Sequence, residues 1–162
     1  MAATPIAAST RYINPETTVI YWCPSIATKT APTRAELNAG TNLVGENSSS
    51  EGWNITSNQV PTPDMGNLFT GSIPGRLTAE DSSLSMYADV GGSDARTLMA
   101  RNTAGFIVWL DGGDVAGRKM DVFPVRVSSV GKTRSVEGEE AAMLTIAYSI
   151  TSSPAENVTI PA

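Results

Sequence analysis

Apolar side chains occupy every second position between Ser83 and Asp89, and hydroxyl or carboxylate groups occupy the positions between them. This period of two predicts a β-strand with one buried face and one polar face. Residues 51–59 repeat the pattern around Trp53 and Ile55. A polar strand face suits a solvated surface, but it also suits the wall of a water-filled channel.

Further strands are predicted where β-branched and aromatic residues cluster. These segments are residues 17–23, 42–44, 105–110, 119–130 and 144–150. Pro124 predicts a bend or an edge position in the fourth of them. Thr33 and Glu36 have capping-box spacing ahead of Gly40, which predicts a helix of about two turns. Ser93 is placed to cap a second short helix over residues 94–100.

Together these elements predict a mainly β fold, a β-sandwich or partly closed barrel with one or two short flanking α-helices. The chain has 162 residues, of which 41% are hydrophobic. That length and composition fit one core, so we expect residues 1–162 to form a single domain.

Residues 45–75 are expected to form a long loop. Residues 45–52 carry no apolar side chain, which is typical of a flexible loop tip. Residues 60–75 contain proline and glycine too often for one regular element. Apolar side chains nevertheless recur in that second stretch, so we expect something outside the domain to order it. The last residues, 152–162, are expected to form an extended tail.

The composition narrows the available chemistry. The formal net charge of −5 disfavours wrapping of nucleic acid through phosphate contacts. The chain contains no histidine and one cysteine, Cys23, which excludes histidine-based triads, His/Cys zinc sites and an internal disulfide. Cys23 lies in an apolar run and is expected to be a buried small hydrophobe. The sequence shows neither a secretory signal nor a run of the roughly 18 apolar residues that a membrane helix needs, so we expect cytoplasmic synthesis without membrane insertion.

Two short motifs suggest chemistry that their surroundings do not support. Residues 112–119 resemble a phosphate-binding loop, but Arg118 stands at the lysine position and Lys119 at the Ser/Thr position. Asp111 and Asp114 could hold calcium, yet two carboxylates beside glycines are typical of a hairpin turn. Adjacent carboxylates elsewhere would point to opposite faces of a strand. We therefore expect no enzyme activity, no cofactor and no metal.

Five segments that cover nearly the whole chain resemble one known family. They are INPETTVIYWCPSIATKTAPTRAELNAGTNLVGE, EGWNITSNQVPTPD, IPGRLTAEDSSLSMYAD, TAGFIVWLDGGDVAGRKMDVFPVRVSSVGKTRS and PAENVTIPA. Together they resemble the major tail protein, or tail tube protein, of long non-contractile-tailed bacteriophages, particularly those that infect actinobacteria.

The resemblance implies a virion tail protein that assembles into six-subunit rings, which stack into a tube that conducts the genome. Each subunit would lend strands to a continuous inner barrel. The N-terminal arm 1–16, the loop 45–75 and the tail 152–162 would reach neighbouring subunits or rings. Implied partners are further copies of the chain, the tape-measure protein, tail-assembly chaperones, the tail terminator and the tail tip. Double-stranded DNA would pass through without specific binding.

A lumen for DNA should lack rows of lysine or arginine, because each neutralised phosphate adds attraction that slows passage. The two polar strand faces described above have this chemistry. Candidate lumen-facing residues are Asn54, Thr56, Asn58, Asp81, Ser83, Ser85 and Asp89. Candidate inter-subunit anchors in the loop are Met65, Leu68, Phe69 and Ile73.

Two other functions stay open. A carbohydrate-binding or adhesive β-sandwich would use Trp22, Trp53, Tyr87 or Trp109 as a stacking platform. Trp22 and Trp109 lie in runs typical of a core, which weighs against that function. A capsid decoration protein would share the self-assembly but would bind to the phage head.

Overall fold

The computed structural model describes residues 3–136 and 139–162, and within them the fold is mainly β. The elements in chain order are β1 (Val19–Cys23), α1 (Arg34–Asn38), β2 (Thr41–Asn42), β3 (Asn47–Glu51), β4 (Ile55–Thr62), β5 (Gly71–Ala79), β6 (Ser82–Tyr87), α2 (Ala95–Leu98), β7 (Ala104–Leu110), β8 (Lys119–Lys132), β9 (Met143–Ile150) and β10 (Ala155–Thr159). The predicted fold class, mainly β with short helices, is confirmed.

Among the described residues, eight strands form one sheet and two form another. The hydrogen-bonded order of the large sheet is β2-β1-β7-β8-β9-β6-β3, and β10 also pairs with β8. Strands β4 and β5 pair with each other in the small sheet. In the described part of the chain both sheets are open, since β2 and β3 stand at the two ends of the large one.

The chain forms two compact units. The first contains residues 3–44, 106–122 and 154–162, and the second contains residues 45–105 and 123–153 of the described chain. Strands β7 and β8 therefore contribute residues to both units. Residues 3–16 precede β1 in the first unit as an exposed segment without helix or strand. That residues 1–16 act as an arm stays a prediction.

The first unit is built around the antiparallel pair of β1 and β7, in register from Val19 opposite Leu110 to Cys23 opposite Phe106. Its buried apolar residues are Cys23, Ile26, Leu37, Val108, Leu110, Met120, Val122, Ala155, Val158 and Ile160. The prediction that Cys23 is a buried small hydrophobe is confirmed, and burial raises the pKa of its thiol to about 11.

Helix α1 begins with the predicted capping box. The Thr33 side chain accepts from the Glu36 amide at 3.3 Å, and the Glu36 carboxylate accepts from the Thr33 amide at 2.7 Å. Hydrogen bonds from the amides of Ala27 and Thr33 lower the pKa of Glu36. The helix has five residues and is shorter than predicted. Gly40 follows it because a Cβ there would lie 2.8 Å from the Cys23 Sγ.

Helix α2 begins one residue later than the sequence predicted. Asp94, not Ser93, is its N-cap, and the Asp94 side chain accepts from the Arg96 amide at 3.2 Å. The prediction was wrong because both residues are good caps, and the ion pair between Asp94 and Arg96 favours the later start.

The second unit confirms the predicted alternation in β6. Leu84 and Met86 are fully buried, while Ser83 and Ser85 are half-buried on the other face. Strand β6 pairs with β9, so that Leu84 faces Ile146 and Met86 faces Leu144.

The expected long loop 45–75 is wrong as secondary structure. Residues 45–52, expected as a flexible tip, contain β3, whose Ser49 and Ser50 pair with Ser85 and Leu84. Residues 60–75 contain the end of β4 and the start of β5, so that only residues 63–70 form the turn. Sheet pairing supplied by distant strands overrides the weak local strand propensity of these serines, prolines and glycines.

The tail 152–162 is extended, but it is a strand of its own subunit. Strand β10 pairs with β8, and Ala155, Val158 and Ile160 are buried. The expectation that this segment reaches a neighbouring subunit is therefore wrong for these three residues, because their apolar side chains fill the core of the first unit.

Candidate functional site

A polar face extends across four strands of the second unit. One row of opposed residues crosses β3, β6, β9 and β8, and a second row lies beside it. The rows are Ser49, Ser85, Thr145 and Gly131, and Glu51, Ser83, Ala147 and Ser129. Five of these eight positions carry a hydroxyl, one carries a carboxylate and none carries a basic group. We call these eight residues the hydroxyl face.

Ser83 and Ser85, two of the predicted lumen residues, lie at the centre of the hydroxyl face. Each is half-buried, and the Ser85 Oγ lies 3.3 Å from the Thr145 Oγ1, within hydrogen-bond distance. The residues between them in β6 and β9 are buried on the opposite, apolar side of the sheet. Their packing fixes which side chains the hydroxyl face presents. In the next row on the same side of the sheet, Arg126 pairs with Ser149, and its guanidinium donates to the Asn102 side chain at 2.9 Å.

Asp81 and Asp89, two further lumen candidates, lie outside β6 and are exposed. Asp81 immediately precedes the strand. The Asp89 carboxylate accepts from the Ser93 amide at 3.0 Å, which gives it a role in the following turn. The structure therefore places both acids at the ends of the strand rather than on the paired rows.

Of the remaining lumen candidates, Thr56 and Asn58 lie in the small sheet and Asn54 immediately precedes it. None of the three is in the large sheet with Ser83 and Ser85. The single strand predicted over residues 51–59 is confirmed for residues 55–59, which belong to β4. It is wrong for residues 52–54, because Gly52 and Trp53 adopt positive φ angles of 77° and 68° and separate β3 from β4. Asn54 precedes β4 and donates to the Glu80 carboxylate at 3.2 Å. Thr56 pairs with Thr78, and Asn58 lies where the register shifts.

Strands β4 and β5 form a hairpin with exposed apolar side chains. The predicted anchors Met65, Leu68, Phe69 and Ile73 are exposed by 107%, 106%, 75% and 55%. Val60 and Leu77 are also exposed, and the sequence reading missed them. Val60 pairs with Ile73 across the hairpin. A search for apolar residues that alternate on both strands of a hairpin would have identified Val60.

The tryptophans do not form an open stacking platform. Trp22 is 1% exposed, which confirms its core position, and Trp109 is half-buried. The Trp53 ring packs against Phe123 and Tyr148 at centroid distances of 5.3 Å and 5.5 Å. This packing weighs against a carbohydrate-binding surface built on Trp53.

The Asp111–Arg118 turn is a structural connection in the first unit. Arg34 donates to both carboxylate oxygens of Asp114 at 2.8 Å, and the Tyr21 hydroxyl donates to Asp114 at 2.9 Å. Arg34 also donates to the carbonyl of Pro161 at 2.8 Å. Burial, together with Asp121, raises the pKa of Asp111. Asp114 is thus engaged by a cation and a hydroxyl of its own chain rather than presented to a phosphate or a metal.

Within residues 3–136 and 139–162, no three carboxylate or thiol side chains cluster as metal ligands. No helix in that part of the chain has the length and apolar content of a membrane span. The organised features are instead a polar sheet face and an exposed apolar hairpin. They define the class as a β-protein with an open polar sheet face and an exposed apolar hairpin.

Residues 7–162 match the family model described as phage tail tube protein, and the chain belongs to this family. The resemblance found in the sequence is confirmed at this level. The role of the protein is structural, as a component of a phage tail. No curated protein sequence matches the chain significantly.

Solved structures share the fold at low sequence identity. A chain of the PVC sheath/tube terminator of an extracellular contractile injection system has a TM-score of 0.61 and 10% identity, over 87% of this chain and 94% of that chain. The tube terminating cap of the anti-feeding prophage has a TM-score of 0.57 and 16% identity, over 91% and 93%. The PVC sheath-tube complex gives 0.58 and 11%, over 88% and 93%. At these identities the likeness shows the fold alone.

Proposed function

We propose that this chain is the major tail protein of a long non-contractile-tailed bacteriophage, where it forms six-subunit rings that stack into the tail tube. The tube conducts double-stranded DNA during ejection into the host. The chain is made in the bacterial cytoplasm and joins the virion tail without entering a membrane. Its partners are further copies of itself, the tape-measure protein, the tail terminator and the tail tip.

The hydroxyl face is the observation that carries this proposal. Its eight positions contain five hydroxyls, one carboxylate and no base. These eight side chains neutralise no phosphates, so they release no counterions and add no attraction that would hold DNA back. Arg126, in the next row, donates to the Asn102 side chain. In the assembled ring we assign this face to the lumen.

Two strand edges of the second unit supply the contacts that would close the ring. Strand β3 stands at one end of the large sheet. Val127 of β8 forms backbone hydrogen bonds with Asn102 and Thr103, just before β7 begins at Ala104. The end of β8 therefore extends past the end of β7, as far as Lys132. If β3 of one copy pairs with the end of β8 of the next copy, the contact joins two different edges and is head to tail. Repeating this contact around one axis closes a ring. Closure also removes edges that would otherwise promote aggregation.

Two exposed segments extend the contacts beyond the sheet. The hairpin anchors Met65, Leu68, Phe69 and Ile73 would pack on a neighbouring subunit. The arm residues Ile6 and Ile13, which are 97% and 74% exposed, would do the same. Apolar side chains at the tip of a hairpin and along an arm gain most when a partner covers them.

Cysteine cross-linking across the proposed edge tests the ring. Ser49 or Glu51 on β3 is replaced by cysteine together with Ser129 or Gly131 on β8, which gives four double variants on one face. Within one subunit these strands are three spacings apart, roughly 14 Å, which exceeds the roughly 7 Å limit between Cα atoms for a disulfide. Oxidation of assembled protein should therefore link neighbours into a ladder of up to six chains in at least one variant.

Each single-cysteine variant is the matched control, because it lacks the second partner and should give no ladder. The native Cys23 is fully buried and does not compete. Assembled tails in which none of the four double variants forms chains longer than a dimer would contradict closure through these edges.

A further inference from the structure

The base of the β4–β5 hairpin contains two consecutive residues in the left-handed region. Gly52 has a φ of 77° and Trp53 a φ of 68°. Glycine adopts this conformation freely, whereas a bulky aromatic residue adopts it rarely and at a cost in strain. A strained residue of this kind persists only where surrounding contacts hold it, so the contacts of Trp53 must offset the strain.

Trp53 is held from both its backbone and its ring. Its amide donates to the Ser82 Oγ at 3.1 Å, and its indole Nε1 donates to the Ser83 carbonyl at 3.2 Å. The ring meets Phe123 edge to face, at 79° between planes, and lies tilted against Tyr148. Phe123 and Tyr148 are each 3% exposed, so the indole is fixed to the buried side of the second unit.

The other leg of the hairpin is tied at the same level. The Glu80 amide donates to the Asn54 carbonyl at 3.0 Å, and the Ser82 hydroxyl donates to the Glu80 carbonyl at 3.2 Å. A Cβ on Gly52 would lie 2.2 Å from the Asp81 carbonyl oxygen, so the two legs pass each other without space for a side chain. Both legs therefore leave the sheet at a defined place and in a defined direction.

We propose that Trp53 is a positioning residue that orients the β4–β5 hairpin in the free subunit, before a neighbouring copy binds. The Trp53 ring stabilises the left-handed backbone at residues 52–53. That backbone sets the direction of the β4–β5 hairpin, whose exposed apolar side chains form the contact with the neighbouring copy. The turn at residues 63–70 can stay mobile while the base is ordered. A preset direction lowers the ordering cost of assembly, as it does for any preorganised binding segment.

The effect on assembly rests on the proposed tube function, whereas the ordering of the base does not. Two variants separate the ring from the backbone. Trp53→Asn removes the ring but keeps a residue that accepts positive φ. Trp53→Phe keeps an aromatic ring beside Phe123 and Tyr148 and loses the indole donor and the second ring. Ser82→Ala is the second route, since it removes both the acceptor of the Trp53 amide and the donor to the Glu80 carbonyl while the indole ring stays in place.

Hydrogen exchange on the free subunit is the first measurement. In Trp53→Asn, the Glu80 amide should exchange at least about tenfold faster than in wild type, because two aromatic contacts that close the base are lost. Amides of β1 and β7 in the first unit should exchange at wild-type rates. Trp53→Phe should restore most of the protection, and Ser82→Ala should lie between. Wild-type exchange at Glu80 in Trp53→Asn would overturn the proposal.

The protein concentration at which tubes form, measured by electron microscopy and sedimentation, is the second measurement. It should rise at least about tenfold in Trp53→Asn and return toward wild type in Trp53→Phe. A loosened base with unchanged assembly would overturn the positioning role while leaving the tube function intact. Failure of wild-type protein to form tubes in any condition, with the base protected as expected, would instead contradict the tube function alone.

Discussion

Asp94 shows how one side chain combines two local roles. Its carboxylate caps α2 through the Arg96 amide and also accepts from the Arg96 guanidinium at 2.8 Å and 2.7 Å. The side chain is only 1% exposed, so the charge is kept from water and relies on these donors. The hydrogen bonds from the Arg96 side chain are the main reason that the pKa of Asp94 is lowered.

The lowered pKa of Asp94 predicts a pH dependence of stability. Because the folded pKa lies below the unfolded value of about 3.9, the Asp94 contribution is fully present above about pH 5 and is lost as the pH falls through the folded pKa. Asp94→Asn keeps a capping side chain but not the charge. The difference in unfolding free energy between wild type and Asp94→Asn, measured by urea denaturation, should therefore shrink below about pH 4. An equal difference at neutral and acidic pH would contradict this assignment.

At the scale of elements, the two chain ends behave in opposite ways. Ile160 is 1% exposed in the core of the first unit, whereas Ile6 is 97% exposed in the arm. Arg34 donates to the Pro161 carbonyl, and the Ile160 amide donates to the Arg118 carbonyl, so the C-terminal segment is also fixed by polar contacts. Of the two end segments as described, the N-terminal one, residues 3–16, is the one we expect to reach another chain.

The same substitution at the two ends tests this difference. Ile160→Ala should lower the free energy of unfolding by about 2–5 kcal/mol, as expected for a buried isoleucine that leaves a cavity. Ile6→Ala, the matched control, should change it by less than about 0.5 kcal/mol. Denaturant unfolding of both variants measures the contrast, and equal small effects would mean that Ile160, which follows β10, is not part of the core.

The hairpin tip predicts a separation of stability from assembly. Leu68→Ser combined with Phe69→Ser should change subunit stability by less than about 0.5 kcal/mol, because both side chains are exposed. The same variant should impair tube formation, since it removes two apolar anchors from the hairpin. Thr70→Ser, at an exposed neighbouring position, is the control and should do neither. Normal assembly by the double variant would rule out the tip as a contact.

Elements that depend on local signals could be predicted from the sequence, and elements that depend on distant partners could not. The capping box at Thr33 and the alternation in β6 are local, and both were found. Strand β3 has the sequence NSSSE and forms only because β6 offers an edge. In β10 a register shift between Ala155 and Val158 breaks the alternation that would have identified a strand.

The candidate site could likewise be predicted only where it depends on a local sequence pattern. Alternation identified Ser83 and Ser85 correctly as members of a polar face. The same alternation wrongly placed Trp53, Asn54 and Thr56 in one strand. The positive φ of Trp53, which interrupts that strand, has no signal in the sequence. The other members of the hydroxyl face come from β3, β8 and β9, and only the sheet register brings them together.

In the assembled tube, the charge that each subunit presents to the channel decides how DNA passes through it. If Ser83 and Ser85 line the lumen, Ser83→Lys with Ser85→Lys would place two cations per subunit in the path of DNA. Genome ejection should become slower, and the delay should weaken with added salt, because phosphate contacts are salt-dependent. Ejection kinetics of phage that carry the variant measure this. Ser25→Lys with Thr30→Lys adds the same charge at exposed positions of the first unit and should leave ejection unchanged. Normal kinetics with lysines at 83 and 85 would remove these positions from the lumen.

A side-chain-resolution cryo-EM reconstruction of the virion tail would show which chain forms the shaft and which face of it lines the channel. The expected result is a ring of six copies of this chain, with Ser49, Ser85 and Thr145 facing the central channel and β3 of each copy beside β8 of the next. A shaft made of another polypeptide would contradict the account, as would a ring in which the hydroxyl face is packed away from the channel.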